Sequence, residues 1–283
     1  MIPITKPYIE KDDFKFLKKV IDSKILADGY FQKKCERIIK KKLNSKFVAI
    51  THSCTAALEI SAILINLKKN DEVILPSYGF VSIANAIVLR GAKPIFAEID
   101  PITLNISASD VEKKITNKTK AIYVIHYAGN ACDIIKLKKI AKANKLYLIE
   151  DAAHAYSAKF KSNYLGTIGD IGVFSFHETK NIVSGQGGCI SINNSKLIKR
   201  ANFILDKGTN RIEFINNYKK KIILNNNKKF YSWVDVGSEY RAPELSCALL
   251  YSQLKKLNKI QKSRKKIWEW FKKEIDKINS NKF

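Results

Sequence analysis

Lys180 is the first residue whose type and position could do chemistry. The segment from Phe174 to Gly188 reads FSFHETKNIVSGQGG, so this lysine follows an apolar strand end and precedes a glycine-rich turn. The glycines allow the backbone to approach a ligand closely. A lysine held among uncharged groups loses its proton more easily than one in water, and its neutral amine can attack a carbonyl to form a Schiff base. The alternative is a surface lysine, which is the role of most basic residues in this chain.

Asp151 ends a second apolar stretch, LYLIED, over residues 146–151. A carboxylate deep in a ligand cleft needs a partner, because an unpaired buried charge is costly. A protonated pyridine nitrogen would be such a partner. Lysine for the aldehyde and aspartate for the ring nitrogen are the usual protein contributions to pyridoxal phosphate chemistry. The alternative for Asp151 is a strand-end carboxylate that caps the next turn.

A phosphate-binding site is predicted in the segment THSCTAALE, where a strand ends and a helix starts near Thr55. A helix N-terminus presents free backbone N–H groups and a partial positive charge, which suit a phosphate. The candidate donors are the amides of Thr55 and Ala56 and the hydroxyls of Thr55 and Ser175. Simple N-capping by Ser53 or Thr55 would use the same geometry. Phe80, just past another strand end, could stack on a cofactor ring, although a core position is the commoner role of phenylalanine.

Short β-rich runs alternate with helical patterns along the chain. This alternation favours an open, mostly parallel α/β sheet with helices on both faces. In such sheets the ligand lies beyond the carboxyl ends of the strands, which is where the residues named above fall. Seven strands are predicted, over 46–51, 71–76, 93–100, 120–126, 146–151, 171–176 and 188–193. Helices are predicted over 55–68, 80–90 and 133–144, and one or two long helices over 242–279.

The composition is that of a globular protein. Its 283 residues, 46% of them hydrophobic, suffice for one large domain or for a large and a small one. No apolar run approaches the ~18–20 residues that cross a bilayer, and the N-terminus lacks the pattern of a signal peptide. We therefore predict a cytoplasmic protein with no membrane partner. Five scattered cysteines without a CxxC pair indicate free thiols rather than disulfides or a metal site.

The formal net charge of +25 raises the alternative of a nucleic-acid binder. The lysines fall in short clusters with helical spacing, such as KKCERIIKKKL and KLKKIAKANK, and solvated helix faces explain them. No zinc finger, RNA-binding aromatic signature or evident helix-turn-helix accompanies them. We therefore predict no nucleic-acid partner.

Together and in this order, the motifs resemble one family. The matching stretches are SCTAALE, LPSYGFVSIANAIVLRGAKPIF, VIHYAG, IEDAAHA, LGTIGDIGVFSFHETKN and DKGTNR, and the resemblance covers residues 2–255. They resemble the sugar aminotransferases of the DegT/DnrJ/EryC1/StrS group, which are fold type I pyridoxal phosphate enzymes. FSFHETKN, GTNR and LADGYFQKKCE look most like the dTDP-4-amino-4,6-dideoxygalactose transaminase branch.

The resemblance implies a role for each candidate residue. Lys180 would bind pyridoxal 5'-phosphate covalently and later carry the proton between the substrate carbon and the cofactor. Asp151 would keep the ring nitrogen protonated. His154 would lie near the cofactor's 3-hydroxyl, and its alternative role is a satisfied core histidine. Phe80 would stack on the ring, and the phosphate would be bound by Thr55, Ala56 and Ser175.

The resemblance also implies the reaction. Glutamate would donate its amino group, through the cofactor, to the 4-keto group of a nucleotide-linked sugar such as dTDP-4-keto-6-deoxyglucose. The product would serve surface polysaccharide synthesis, and the enzyme would be a homodimer. Two alternatives stay open: a 3-keto-sugar transaminase of the same group, and a non-catalytic remnant of the fold.

Two positions depart from the usual pattern of the family. Gln186 stands in a GQGG turn where the family usually has Gly-Glu-Gly-Gly. Glu239, in GSEYR, stands where an asparagine usually reaches the phosphate in the neighbouring subunit. A carboxylate beside a phosphate dianion is repulsive, so we expect this contact to be altered or lost.

We expect a cofactor-binding large domain over residues 1–240 and terminal helices over 241–283 that lead toward a small domain absent from this chain. The polar stretch 216–230 is predicted to be a loop. Without a small domain, the cleft would stay open on one side, so we expect this 283-residue form to bind the cofactor but to show weak or absent transamination. Five large side chains of the last helix would also lack packing partners: Ile267, Trp268, Trp270, Phe271 and Ile275.

Overall fold

The fold is built on a seven-stranded sheet. A computed structural model describes residues 5–219 and 230–280. In chain order the strands of the described part are β1 (Phe47–Thr51), β2 (Glu72–Pro76), β3 (Lys93–Ala97), β4 (Thr119–Ile125), β5 (Tyr147–Asp151), β6 (Lys159–Phe160), β7 (Asn163–Tyr164), β8 (Ile171–Ser175) and β9 (Gly188–Ile192). Their order in the sheet is β1-β9-β8-β5-β4-β2-β3, and β6 and β7 form a separate short hairpin.

Six strands of this sheet run in one direction. Strand β9 runs antiparallel to its neighbours β1 and β8, and the other pairs are parallel. The prediction of a mostly parallel seven-stranded α/β sheet is therefore confirmed. Because parallel strands bring their carboxyl ends to one edge, β4, β5 and β8 end side by side, with Asp151 in register with Val173. The amino end of β9 meets the same edge, since Gly188 pairs with Ser175.

Helices cover both faces of the sheet, as predicted. Alternation along β4 shows why, since Ile122 and Val124 pack in one apolar cluster and Tyr123 and Ile125 in the other. The helices of the described residues are α1 (Lys11–Ser23), α2 (Tyr30–Leu43), α3 (Cys54–Leu64), α4 (Ser82–Val88), α5 (Ala108–Lys113), α6 (Ile134–Ala143), α7 (Ile198–Leu205), α8 (Arg211–Lys219), α9 (Glu244–Lys255) and α10 (Leu257–Ser280). The cluster that contains Ile122 joins the sheet to α1, α2, α6 and α9, and the cluster that contains Tyr123 joins it to α3, α4 and α7.

Some boundaries differ from the prediction. The helix predicted over 55–68 ends at Leu64, because the chain turns at Asn66, whose left-handed φ of 58° asparagine tolerates well. Strand β3 ends at Ala97 rather than at residue 100, because Glu98 then bonds to the segment that begins α5. Residues 216–219, predicted to be a loop, belong to α8, and residues 220–229 lie outside the described part.

The two C-terminal helices follow the prediction for 242–279. Helix α9 is anchored in the core through Cys247, Leu250 and Leu254. Helix α10 exposes the five large side chains named above, at 46–62% each. Four of them, all except Trp270, line an open groove of about 830 Å³ that reaches Asn181. Within the described residues, no helix combines the length and the apolar character needed to span a membrane.

Candidate active site

A cavity of about 350 Å³ opens at the carboxyl-end edge of the sheet. Its walls come from the start of α3 and from the segments that follow β2, β4, β5 and β8. The residue predicted from the sequence that does not line it is Ala56, which is buried at 1% exposure. The other six line the cavity together: Thr55, Phe80, Asp151, His154, Ser175 and Lys180.

Asp151 is a buried carboxylate with one oxygen left for a ligand. It is 6% exposed, and its Oδ1 accepts the Ala153 N–H at 2.9 Å. Its Oδ2 has no hydrogen-bond partner within the described residues. Burial raises the pKa of Asp151, whereas the Ala153 N–H, His126 and Lys180 oppose that rise. A cationic donor placed against Oδ2 would stabilise the ionised carboxylate.

Lys180 lies in a tight turn after β8. Its backbone N–H donates to the carbonyl of His177 at 2.9 Å, and the Thr179 N–H donates to His177 Nδ1 at 3.3 Å. In the described part of the chain, Lys180 Nζ makes no hydrogen bond or ion pair. The lysine lines the main cavity and an adjoining one of about 310 Å³, so its amine is available to a ligand.

The N-terminus of α3 forms one wall of the cavity. Ser53 caps the helix, since its Oγ accepts the Ala56 N–H at 3.0 Å. Thr55 Oγ1 lies 2.8 Å from Ser82 Oγ. The amides of the first turn lack intrahelical acceptors and carry the partial positive charge of the helix end. The Ala56 amide is engaged in capping, so its predicted part in phosphate binding would require that bond to be shared or released.

Gly188 allows β9 to pack closely against this helix end. A Cβ atom at this position would lie 2.4 Å from Cys54 N and from the carbonyl group of Ser53. A contact that short would displace the start of α3, because backbone atoms cannot move aside as a side chain can. The glycine therefore lets β9 approach the helix end closely, and it places Ser175, its partner on β8, beside the same end.

His154 presents a neutral donor at the cavity wall. Its Nδ1 accepts the Ala128 N–H at 3.3 Å, which assigns the ring proton to Nε2. Burial, and then the charge of Lys180, lower the pKa of His154. The Tyr127 ring packs edge-on against it with centroids 5.6 Å apart, and the Tyr127 and Tyr78 hydroxyls are 2.8 Å apart. The histidine can thus donate from Nε2 to a ligand oxygen.

Phe80 lies at the mouth of the cavity. It lines the wall, yet 73% of the residue is exposed, so it is not a core phenylalanine. An exposed ring beside a cavity is free to cover a flat ligand. Its stacking on a cofactor stays a prediction.

Several wall residues were missed by sequence reasoning. Tyr127 and His177 each lie two residues after the end of a strand, so the rule that picked out Asp151 also marks them. Ser82 gives no comparable signal, because its contact with Thr55 joins residues 27 positions apart.

The two departures from the family pattern have different surroundings. Gln186 lines the cavity and brings no charge to it. Glu239 forms an ion pair with Lys207 Nζ, and the Glu239 carboxylate raises the pKa of Lys207. The negative charge of Glu239 is therefore compensated nearby, which weakens the repulsion expected from the sequence.

Comparison with known proteins identifies the family. Residues 7–282 match the model of the DegT/DnrJ/EryC1/StrS aminotransferase family. The chain belongs to this family. It is 31% identical to the GDP-perosamine synthase of Escherichia coli O157:H7, over 98% of this chain and 72% of that protein. It is 32% identical to the GDP-perosamine synthase of Vibrio cholerae, over 97% of this chain and 71% of that protein. It is 32% identical to the spore coat polysaccharide biosynthesis protein SpsC of Bacillus subtilis, over 94% of this chain and 67% of that protein.

Solved structures share the fold. The chain superposes with a TM-score of 0.87 and 26% identity on a mutant of GDP-4-keto-6-deoxymannose-3-dehydratase with bound GDP-perosamine, covering 98% of this chain and 73% of that one. The chain thus spans 67–73% of the length of the proteins compared here. These comparisons support the family and not the predicted dTDP-4-amino-4,6-dideoxygalactose branch.

Aminotransferases of this family use pyridoxal 5'-phosphate. The residues present here fit that group on three observations. Asp151 Oδ2 lacks a partner in the described residues and suits a protonated ring nitrogen. The Lys180 amine, which has no partner among the described residues, lies in the same cavity, and the N-terminus of α3 lines that cavity where Gly188 lets β9 pack closely. The roles of the individual residues stay predictions.

Proposed function

We propose that this chain is a pyridoxal phosphate-dependent aminotransferase that moves an amino group from glutamate to a nucleotide-linked keto-sugar. The observation that carries the proposal is the convergence of Lys180 and Asp151 on one cavity beside a helix N-terminus. Membership of the sugar aminotransferase family supports the same activity.

Each side chain has a defined task in this proposal. The cofactor, when bound, supplies an aldehyde and an electron-withdrawing ring. Lys180 Nζ holds the cofactor and then takes up and returns the substrate proton. Asp151 binds the ring nitrogen through Oδ2, and His154 donates from Nε2 to a ring oxygen. The phosphate is bound at the start of α3, with hydroxyl donors from Thr55 and Ser175.

We propose a 4-keto-6-deoxyhexose linked to a nucleoside diphosphate as the amino acceptor. The motif resemblance stated above favours dTDP-4-keto-6-deoxyglucose. The names of the similar proteins favour GDP-4-keto-6-deoxymannose instead. The name of SpsC supports a place in surface polysaccharide synthesis. The further proposals of a homodimer and of a cytoplasmic location rest on the sequence resemblance and composition.

The two sugars can be compared directly. The chain is incubated with pyridoxal phosphate, glutamate and either nucleotide sugar, 2-oxoglutarate is measured, and the position of the new amine is read by NMR. An amine at C4 supports the proposal and identifies the nucleotide. The 3-keto alternative is tested with the isomeric 3-keto sugar as acceptor, because an amine can form at C3 only where that carbon carries the carbonyl. Cofactor binding without turnover of glutamate to 2-oxoglutarate in the presence of either sugar would contradict the proposed activity.

A further inference from the structure

A second buried carboxylate lies beside Asp151 and takes no part in the steps above. Glu150 precedes Asp151 on β5 and is 0% exposed. Neighbouring side chains of a strand point to opposite faces, so Glu150 shares its face with Leu148 and Ala152. An ionisable group placed so deep is costly unless its oxygens are fully bonded.

Both oxygens of Glu150 are fully used. Oε1 accepts the backbone N–H groups of Ile168 at 2.7 Å and Gly169 at 2.5 Å. Oε2 accepts the Gly166 N–H at 2.8 Å and bonds with His126 Nε2 at 2.9 Å. A carboxylate offers about four acceptor positions, so this one is saturated by donors from two separate segments.

His126 holds both carboxylate residues of β5. It follows β4 directly and is 0% exposed. Its Nδ1 accepts the Cys132 N–H at 3.4 Å, which assigns the ring proton to Nε2 and hence to the bond with Glu150. Its backbone N–H donates to the carbonyl of Asp151 at 3.0 Å. His126 therefore connects the end of β4 to the end of β5 by two hydrogen bonds, one from its side chain to Glu150 and one from its backbone to Asp151.

The same carboxylate also reaches the strand that leads to the candidate lysine. The turn at 166–169 enters β8, and β8 ends five residues before Lys180. Strands β5 and β8 continue side by side, and the Ala152 N–H donates to the Val173 carbonyl at 2.9 Å. Glu150 thus connects β5, which carries Asp151, to the residue that follows β4 and to the turn that enters β8.

We propose that Glu150 and His126 form a positioning pair that fixes the Asp151 carboxylate against the ring nitrogen of the bound cofactor. The inference rests on the proposed function. A displacement of about 1 Å at a reacting group costs about 100-fold in rate, so loss of the pair is expected to act on turnover without removing a group that touches the cofactor.

Four variants test the pair. Glu150→Gln keeps the shape but adds a donor where every partner already donates. His126→Phe removes the donor to Glu150, whereas His126→Gln retains an N–H group and is the conservative variant. Asp13→Asn is the matched control, because Asp13 is a carboxylate 1% exposed in α1, bonded to the Glu10 N–H at 2.6 Å and to Lys256 at 2.7 Å.

The decisive readout is the protonation of the ring nitrogen. Each variant is loaded with pyridoxal phosphate labelled with nitrogen-15 in the ring, and the ring signal, the melting temperature and the kinetics with glutamate are measured. Glu150→Gln and His126→Phe are expected to shift the signal toward the unprotonated position and to lower kcat by about 100-fold, with KM for glutamate changed less than about threefold. His126→Gln and Asp13→Asn are expected to keep the wild-type signal.

The outcomes separate this inference from the proposed function. Wild-type protein that takes up no pyridoxal phosphate overturns both. A wild-type signal in the loaded Glu150→Gln and His126→Phe proteins, with only a lowered melting temperature, overturns the positioning role alone. If Glu150→Gln does not fold, the contrast between His126→Phe and His126→Gln decides, and equal signals in those two overturn the inference.

Discussion

The substitution Asp151→Asn is expected to preserve cofactor binding and to remove most turnover. In Asp151→Asn the new Oδ1 can keep the 2.9 Å bond from the Ala153 N–H, so the fold has no reason to change. The new Nδ2 presents a donor to the ring nitrogen, which in the proposed mechanism needs an anion. The ring then loses its proton and withdraws electrons poorly.

The size of the loss follows from the burial of the carboxylate. Two opposite charges about 3 Å apart attract by about 5–6 kcal/mol at an effective dielectric constant of about 20. Solvent screens little of this, because Asp151 is 6% exposed. Desolvation of the carboxylate, which raises its pKa, offsets part of the attraction. If about half remains, the variant loses roughly 3 kcal/mol of stabilisation, or about 100-fold in rate.

The same burial gives a second readout in the cofactor-free protein. Because burial raises the folded pKa of Asp151, the folded state binds this proton more tightly than the unfolded state does. Asp151 therefore destabilises the folded state least when the pH is below its unfolded pKa, and this destabilisation grows as the pH rises through its folded pKa. Asp151→Asn is expected to melt higher than wild type near about pH 8, with the difference shrinking toward about pH 4.

Two assays check these expectations. Stopped-flow absorbance of the loaded protein mixed with glutamate gives the rate of the first half-reaction, and calorimetry of the cofactor-free protein gives the melting temperature across pH. A half-reaction within a few-fold of wild type would refute the role of Asp151. A stability difference that does not change with pH would refute the reasoning about its burial.

Three further substitutions change residues of the proposed cofactor-binding site. Gly188→Ala is expected to weaken pyridoxal phosphate binding at least tenfold and to destabilise the chain by about 1–3 kcal/mol, since the new Cβ would lie 2.4 Å from Cys54 N. Wild-type affinity for the cofactor in a fluorescence titration would contradict this. Phe80→Ala, at a residue 73% exposed, is expected to change unfolding by less than about 0.5 kcal/mol and to weaken cofactor binding about 2- to 10-fold, so unchanged affinity would exclude stacking. Thr55→Val is expected to weaken binding about 10- to 100-fold through loss of one hydroxyl donor to a charged phosphate, and a titration that shows no loss would remove Thr55 from the phosphate site.

The sheet and much of the cavity wall were predictable because their signals are local. LYLIED and IGVFSF are short apolar runs that can only be buried on both faces, and their ends place Asp151 and Ser175 at the sheet edge. The motifs around Lys180 then indicated the family, and residues 7–282 match its model.

The remaining features depend on contacts between distant segments. The capping bond that occupies the Ala56 amide and the 2.4 Å approach of Gly188 to Cys54 follow from how α3 and β9 meet, which no window of sequence displays. Glu150 is a further case, since its four bonds come from the end of β4 and the turn before β8. Residues 216–219 were misjudged because polar composition favours a loop, whereas they continue α8.

Covalent trapping of the cofactor tests the proposed role of Lys180. The chain is loaded with pyridoxal phosphate, its visible absorbance is recorded, and the protein is reduced with borohydride, digested and analysed by mass spectrometry. We expect one labelled peptide, with the cofactor on Lys180, and no label at that peptide in Lys180→Ala. A label on another lysine, or unloaded protein after reduction, would contradict it.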